Sequence, residues 1–400
     1  MECLIEVFDY DQINNLLSVL AFRPNKVVIL FDEREASIND IKKINDACKS
    51  RIKNITFECH KINVDSIDNI EEICKKIIHE NPDCHFDITG ASEISAIAIY
   101  NACVKTFTPI FKLDLKKEKI VNIYGCRYLE SKFNIPNISF ETLLMSHGAY
   151  VSGNTHKSPP HDMYDNIVKF CNAAFQDIQK WKDLCFYLQV AGAAYREEKK
   201  PLFLSAPKKV DFFKNNVESH AQLEDTSLLA LANSLSLISG FKDNGFSIKF
   251  KYKDHVIKKY MTDFGTLLEV YIYILIKQCK DFKDARLSVV INWDKERLDQ
   301  VEILNEIDVT FFSGIHPVFV SCKLSEPNSE ALQELSIYRS YFGGRQSKCV
   351  LVTLASIKKE KSHLRKRAKD MKIDIIDGKD VKNGNFINKL KRVLDGNDDK

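Results

Sequence analysis

The sequence lacks the features that mark several large classes of protein. Glycine (14 residues) and proline (10 residues) are scarce among 400 residues, which excludes collagen-like and low-complexity chains. No apolar run approaches the roughly 18 residues of a membrane-spanning helix. The N-terminus, MECLIEVFDYDQ, has acidic residues where a signal peptide has basic ones. We therefore expect a folded, cytoplasmic protein without a membrane partner.

The cysteines and the charge balance are similarly uninformative about a partner. Twelve cysteines are present, but they show neither a CxxC pair nor zinc-ribbon spacing, so we expect reduced and mostly packed thiols. The net charge of +3 neither requires nor excludes nucleic-acid binding, because the local distribution of charge decides that question. The length predicts two or three domains.

Strand and helix periods alternate over the first part of the chain. Runs such as KVVILF and CHFDIT are separated by amphipathic stretches such as IDNIEEICKKIIHE. This alternation favours parallel strands with helices on both faces. We predict an α/β fold in which residues 1–147 form a Rossmann-like domain.

The pattern breaks at residues 148–161, GAYVSGNTHKSPPH, where two prolines and small polar residues indicate a linker. Residues 148–245 are predicted to comprise this linker and a small helical connector with some similarity to a winged helix. FSIKFKYKDHVIKKYM is predicted to be a hairpin, with one face formed by Phe246, Ile248, Phe250 and Tyr252. Residues 246–400 are predicted to form a last αβ domain.

Carboxylates and a lysine converge in that last domain. Asp308 lies in one predicted strand and Lys323 ends the next, so pairing of the strands places them at the same end of a sheet. Glu269 lies on the apolar face of a predicted helix, where a carboxylate is costly unless it is paired or metal-bound. Glu306, two residues before Asp308, projects from the same strand face and could share a metal ion.

Two loops at the carboxyl edge of the N-terminal sheet could bind a ligand. The stronger is DITGASEIS, whose small residues and free backbone amides favour a phosphate at the start of the next helix; its candidates are Thr89, Gly90, Ala91, Ser92 and Glu93. The other is FDYDQIN, whose polar side chains could bond a base or ribose; its candidates are Asp9, Tyr10, Gln12 and Asn14. Because GxGxxG and Walker A motifs are absent, the usual modes of NAD, FAD and ATP binding are unsupported.

The C-terminal order GTLLE, NEIDV, VFVSCK resembles the core of PD-(D/E)xK restriction-endonuclease-like nucleases. This resemblance implies a Mg²⁺ or Mn²⁺ site and a lysine, Lys323, that orients water; its implied metal ligands are Asp308, Glu269, Glu306 and the carbonyl of Cys322. Ser321 stands where the family has a carboxylate, so the metal would depend on the two glutamates. Glu334, one turn before Tyr338, is a further candidate for the active site.

The DITG(A/G)(S/T)E element resembles the ligand loop of CARF domains, which are the Rossmann-fold sensors of CRISPR systems. A CARF domain joined to such a nuclease is similar to the ancillary nucleases of type III CRISPR defence. The resemblance implies a homodimer that binds a cyclic oligoadenylate, with cyclic tetra-adenylate as the expected ring. It also implies that the ligand activates cleavage of DNA and/or RNA with little sequence preference, through the connector.

Other interpretations remain open. A CARF transcription regulator with an inactive C-terminal domain gains support from Ser321, and the N-terminal domain could also cleave its own activator. The basic run from Lys358 to Lys372 and the isolated Arg345 are candidate phosphate contacts. A solvated helix surface explains the basic run equally simply.

Overall fold

The computed structural model describes residues 1–195, 197, 199–214, 217–293, 304–357 and 362–396. These residues form two six-stranded sheets, with smaller sheets between them in the chain. Within these ranges, no helix combines the length and the apolar character needed to cross a bilayer.

The N-terminal domain is a parallel sheet with one antiparallel edge strand. Its strands are β1 (Cys3–Val7), β2 (Lys26–Phe31), β3 (Thr56–Lys61), β4 (Cys84–Asp87), β5 (Ile110–Asp114) and β6 (Lys119–Tyr124). Its helices are α1 (Gln12–Phe22), α2 (Ile38–Lys49), α3 (Ile67–Glu80), α4 (Glu93–Thr106) and α5 (Phe140–Ser146). The order is β3-β2-β1-β4-β5-β6, and only β5–β6 is antiparallel. Buried apolar strands such as β2 suit a sheet covered on both faces, and the predicted α/β class is confirmed.

The middle of the chain is helical only in part. Its elements are β7 (Tyr150–Asn154), α6 (Tyr164–Gln176), α7 (Ile178–Ala194), β8 (Phe203–Pro207), β9 (Lys209–Lys214), β10 (Val217–Gln222), α8 (Ser227–Ser234), β11 (Ile238–Asp243), β12 (Ser247–Tyr252) and α9 (His255–Thr262). Helices α6, α7 and α8 lie within the connector that was predicted to be helical. Strands β11, β12 and β8 form a small sheet and β9 pairs with β10, which the local sequence pattern did not predict.

The segment that we predicted to be a hairpin is one strand followed by a helix. Asp254 ends the strand because its carboxylate accepts a hydrogen bond from the Ile257 amide (2.8 Å) and caps α9. The predicted buried face is present at Ile248 and Phe250, but Phe246 precedes the strand and is 87% exposed.

The C-terminal domain has the predicted order of elements. They are α10 (Thr266–Gln278), β13 (Phe282–Asn292), β14 (Leu304–Ser313), β15 (His316–Lys323), α11 (Ser329–Tyr338), β16 (Lys348–Thr353), α12 (Ser362–Asp370), β17 (Ile373–Ile376), α13 (Gly378–Lys382) and α14 (Phe386–Leu394). The sheet order is β17-β16-β15-β14-β13-β7. Strands β13, β14 and β15 are antiparallel neighbours, whereas β15, β16 and β17 run parallel.

The segment that we expected to be a linker contains the edge strand of this C-terminal sheet. Strand β7 pairs antiparallel with β13, and Val151 lies opposite Ile291. The local sequence does not predict β7, because this strand has only five residues, includes Gly153, and pairs with a strand more than 130 residues later in the chain. Pairing of this kind depends on tertiary context more than on intrinsic propensity. The two prolines that indicated a linker follow the strand rather than interrupt it.

The N-terminal and C-terminal domains share one apolar core. Leu17 of α1 and Leu143 of α5 belong to the same buried cluster as Phe319 of β15 and Leu332 of α11. The rings of Phe140 and Phe319 lie edge to face with centroids 6.3 Å apart. The two domains are therefore packed directly against each other, in addition to their link through the connector.

Candidate metal centre and ligand cavity

Carboxylates from a helix and a strand meet a histidine at one end of the C-terminal sheet. Metal-ligating atoms of His156, Glu269 and Glu306 all lie within 4.8 Å of one another. Glu269 projects from α10, and its Oε2 accepts a hydrogen bond from Ser288 Oγ at 2.9 Å. Glu306 projects from β14, two residues before Asp308. We call these three residues, together with Asp308, the metal centre.

His156 is the member of this group that the sequence analysis missed. It follows β7, and the amide of Thr155 donates to the carbonyl of Ser288 on β13 (3.1 Å), which brings the imidazole to Glu269. Its Nε2 lies 3.1 Å from Thr266 Oγ1 and 3.8 Å from Glu269 Oε2, while its buried Nδ1 has no partner. A histidine inside an expected linker gives no sequence signal, since the pairing of β7 with β13 is what positions it.

Burial and mutual repulsion shift the titration of these groups. Burial, reinforced by the neighbouring Asp308 and Glu306, raises the pKa of Glu269 to about 8. Burial also raises the pKa of Asp308 to about 6, although the Cys322 amide and Lys323 oppose the rise. Burial lowers the pKa of His156. The carboxyl groups are thus crowded and poorly solvated beside a neutral imidazole, an arrangement that a bound cation would stabilise.

Asp308 is hydrogen-bonded to β15, the strand in which Ser321 differs from the nuclease motif. Its Oδ2 accepts the amide of Cys322 at 2.6 Å, and Ser321 Oγ lies 3.4 Å away. Ser321 therefore donates toward a neighbouring carboxylate where related nucleases have a second carboxylate. The Cys322 amide points to Asp308, and the role of the Cys322 carbonyl as a ligand stays a prediction.

Lys323 and helix α11 complete this end of the sheet. Lys323 Nζ lies 4.0 Å from Glu334 Oε2, so the lysine and the helix carboxylate face each other. The hydroxyl of Tyr338 lies 2.7 Å from the carbonyl oxygen of Glu306 and 3.1 Å from Glu334 Oε1. The structure thus brings the six predicted catalytic residues to one end of the sheet.

The predicted ligand loops line a cavity of about 1150 Å³ at the carboxyl ends of β1 and β4. We call it the ligand cavity. Eight of the nine predicted ligand residues line it: Asp9, Tyr10, Asn14, Thr89, Gly90, Ala91, Ser92 and Glu93. Gln12 does not line the cavity. Helix α1 begins at Gln12 and turns its side chain inward, where it is buried beside Asn15.

Backbone packing explains the small residues of the DITGASEIS loop. A Cβ atom at Gly90 would lie 2.7 Å from the carbonyl oxygen of Val7, so only glycine permits the close approach of the two loops. Thr89 is held in place because its amide donates to Asp87 Oδ1 (2.8 Å) and its hydroxyl accepts from the Leu113 amide (2.9 Å). Ser92 caps α4, which begins at Glu93 as predicted.

The cavity also contains groups suited to a nucleotide. Asn14 Nδ2 donates to Asp9 Oδ2 at 2.7 Å, and this bond fixes the amide so that its buried Oδ1 is left without a partner. Tyr10 is 79% exposed at the rim and offers a ring on which a base could stack. Four cationic residues also line the cavity: Arg34, Lys112, Lys116 and Arg345. Lys112 and Lys116 reach the cavity because β5 lies beside β4, an arrangement that the sequence alone did not predict.

The basic run contributes to a second, smaller cavity. Residues 358–361 of this run lie outside the described residues. Six cationic residues line a cavity of about 490 Å³: Arg339, Arg345, Lys348, Arg365, Lys369 and Lys372. This cavity lies at the start of β16, whereas Lys323 pairs with Thr353 at its end, a separation of about 17 Å along the strand. The predicted phosphate contacts are therefore remote from the metal centre.

Comparison with known proteins gives matches in structure only. No family model matches the chain, and no curated protein matches it by sequence. The crystal structure of protein VC1899 from Vibrio cholerae superposes with a TM-score of 0.73 at 15% identity and covers 98% of both chains. Can2 from Sulfobacillus thermosulfidooxidans, solved in complex with cyclic tetra-adenylate, gives a TM-score of 0.67 at 15% identity, over 97% of this chain and 99% of that chain.

A third structure, of a type III CRISPR defence DNA nuclease activated by cyclic oligoadenylate, gives a TM-score of 0.50 at 12% identity and covers 92% of this chain and 51% of its own. At these identities the similarity establishes the fold. Along nearly its whole length, the chain shares its fold with VC1899 and Can2.

Proposed function

We propose that this protein is a metal-dependent endonuclease of CRISPR defence that a cyclic oligoadenylate activates. The observation that carries the proposal is the metal centre with Lys323 beside it, on a chain whose other sheet forms the ligand cavity. Packing alone does not explain the metal centre, since crowded carboxylates destabilise the fold. Perturbed titratable groups in such a cluster are typical of functional sites.

The metal centre supplies the chemistry through residues from three separate elements. His156, Glu269 and Glu306 would hold a divalent cation, and Asp308 lies beside them. Such an ion neutralises charge on a phosphodiester and lowers the pKa of water. Lys323 orients the water that attacks phosphorus as the bond to the leaving ribose oxygen breaks. Glu334 holds the lysine in position from 4.0 Å.

The donor set favours Mn²⁺ over Mg²⁺. Mg²⁺ takes oxygen ligands almost exclusively, whereas an imidazole nitrogen suits transition metals. The Nε2 atom of His156 lies 3.8 Å from Glu269 Oε2, so an imidazole nitrogen faces the carboxylates. We therefore propose Mn²⁺, with Mg²⁺ as a weaker substitute.

The ligand cavity fits a cyclic oligoadenylate, and we propose cyclic tetra-adenylate. The unpartnered Oδ1 of Asn14 is an acceptor for the amino group of adenine. The N-terminus of α4, capped by Ser92, offers amide groups to a phosphate. Can2, whose fold this chain shares, was solved with the same ring.

The protein is proposed to act as a homodimer. Helix α4, which begins in the ligand loop, exposes an apolar stripe formed by Ile94, Ile97 and Tyr100. The edge strand β6 adds exposed Val121 and Ile123. Exposed apolar patches of this kind commonly mark interfaces, and a ring with two-fold symmetry fits an interface between identical subunits.

The test is a cleavage assay on plasmid and on single-stranded DNA and RNA with Mn²⁺, with and without cyclic tetra-adenylate. Asp308→Ala and Lys323→Ala should abolish cleavage and leave ring binding intact, whereas Lys76→Ala, on the exposed face of α3, serves as the control. Cleavage by either active-site variant at the wild-type rate would remove the assignment. Duplex binding without any cleavage would favour the transcription regulator, and chromatography of the ring would reveal its degradation.

A further inference from the structure

Arg345 belongs to the C-terminal domain, yet it lines the ligand cavity of the N-terminal domain. Its amide donates to both carboxylate oxygens of Asp11 (3.1 and 3.3 Å), and its Nε lies 3.6 Å from Asp11 Oδ2. Asp11 lies at the start of α1, between the ligand residues Asp9 and Asn14. The guanidinium itself is 89% exposed, so it is held at the cavity by its backbone and its side chain can reorient.

The approach of this loop to the cavity depends on a glycine. Gly344 has φ +49°, and a Cβ atom there would lie 1.5 Å from Asp11 Oδ1. The segment before it, Arg339–Gly343, is a π-helical turn that continues α11, and such turns are frequent at functional sites. Phe342 anchors the turn because its buried ring stacks on Trp293 with centroids 4.4 Å apart. The contact with Asp11 is therefore a fixed part of the structure.

The charges of the cavity distinguish Arg345 from the other arginine there. Arg34 donates to both oxygens of Asp32 (3.0 and 2.7 Å) and also to Asp65, so its charge is already matched. Among the described residues, the guanidinium of Arg345 has one longer ion pair, with Asp11. A phosphodiester ligand brings one negative charge per nucleotide close to the carboxylates of Asp9 and Asp11, and it requires a compensating cation there.

We propose that the guanidinium of Arg345 binds a phosphodiester group of the ligand, so that the nuclease domain completes the ligand site of the N-terminal domain. This inference rests on the proposed function, since it assumes a phosphodiester ligand in that cavity. On binding, the guanidinium exchanges its ion pair with Asp11 for one with the ligand phosphate, while the Arg345 amide stays bonded to Asp11.

The same contact gives the ligand a route to the metal centre. Arg345 follows α11 through the π-helical turn, and α11 carries Glu334 opposite Lys323 and Tyr338 against the backbone of Glu306. A ligand that pulls Arg345 therefore acts on the helix that supports two groups of the active site. Because linkage is reciprocal, the factor by which the ligand changes the affinity for metal is also the factor by which metal changes the affinity for the ligand.

The test measures binding of cyclic tetra-adenylate to the full-length protein by calorimetry in the absence of metal. Arg345→Ala should weaken binding about 10-fold to 100-fold, as expected for the loss of a charge-assisted hydrogen bond, and Arg345→Lys should recover part of it. Arg392→Ala, at an exposed arginine of α14, is the matched control. Asp11→Asn keeps the acceptor for the Arg345 amide and removes a competing charge, so it should bind the ring as tightly as the wild type or more tightly.

If Arg345→Ala and Asp11→Asn weaken the binding of cyclic tetra-adenylate equally, the contact between the domains is purely structural and the proposal is overturned. Binding by Arg345→Ala within two-fold of the wild type would also overturn it. Single-stranded DNA is titrated in parallel, because Arg345 also lines the basic cavity. Weaker binding of DNA alone would assign the residue to the substrate path instead. If the wild type itself binds no ring, the proposed function fails and not only this inference.

Discussion

Replacing Glu269 by glutamine should make the stability of the metal-free protein fall less steeply with pH between pH 6.5 and 8. Burial and the neighbouring carboxylates raise the pKa of Glu269 to about 8 in the folded protein, whereas an unfolded glutamate titrates near 4.3. In this window the unfolded carboxyl group is ionised and the folded one is largely protonated. The folded state therefore binds more protons, and stability falls as the pH rises.

The size of the effect follows from the proton count. A fully bound proton contributes about 1.4 kcal/mol per pH unit, and Glu269 is half deprotonated at pH 8, so this residue should account for a loss of roughly 1.6 kcal/mol of unfolding free energy across the window. Other groups also change protonation on folding, because burial raises the pKa values of Glu6 and Asp87 and lowers those of three histidines: His85, His147 and His156. These groups are the same in both proteins, so the difference in slope between the wild type and Glu269→Gln isolates the contribution of Glu269.

Urea denaturation in EDTA at pH 6.5, 7.0, 7.5 and 8.0 measures the effect. Glu72→Gln, which removes an exposed carboxylate from α3, should follow the wild type at every pH. With added Mn²⁺, the unfolding free energy of the wild type should rise with pH instead of falling, since metal binding requires the ionised carboxylate. If the unfolding free energies of the wild type and Glu269→Gln change with pH by the same amount, Glu269 is ionised throughout this range. That result would refute the reasoning from burial.

Three further predictions address the metal, the ligand loop and the dimer. His156→Gln should weaken Mn²⁺ binding at least 10-fold but Mg²⁺ binding far less, and equal losses in calorimetry would count against a nitrogen ligand. Gly90→Ala places a Cβ atom 2.7 Å from the Val7 carbonyl oxygen, so ring affinity should fall while metal affinity stays unchanged; normal ring binding would contradict the packing argument. Ile97→Asp puts a charge in the exposed stripe of α4 and should yield monomers in light scattering, whereas Ile38→Asp, at an exposed position of α2, should not; a dimer with Ile97→Asp would place the interface elsewhere.

The parts of the structure that the sequence predicted are those with a strong local pattern. Strands β14 and β15 and helix α11 lie where their periodicity places them, and they position Asp308, Lys323 and Glu334 at one end of the sheet. The ligand loop was predictable because its features are local too. A buried strand leads into small residues and then into a helix that begins at Glu93, and the edge of a parallel sheet is where ligands bind.

The errors have equally specific causes. Gln12 lies one residue beyond a loop residue that lines the cavity, and the start of α1 at that position turns it inward. Strands β8, β9 and β11 were missed because they are short edge or hairpin strands whose pairing is not visible in local periodicity. A difference of one residue at an element boundary is enough to move a polar side chain from a cavity to the core.

Strand β7 has the largest functional consequence. The sequence analysis found that Ser321 stands in place of the second carboxylate of the motif, and an inactive domain was one interpretation. In the structure, the pairing of β7 with β13 brings His156 to the position where it can join Glu269 and Glu306.

In the proposed metal site, His156, which follows β7 about 165 residues before Ser321, supplies a donor where β15 has none. A motif scan along one segment cannot detect such an exchange, because it depends on which strands are neighbours in the sheet. The same reasoning separates the two functional hypotheses. The proposed metal site accounts for a buried histidine beside carboxylates whose ionisation costs stability, which an inactive domain leaves unexplained, and retention of Mn²⁺ binding by His156→Gln would remove this argument.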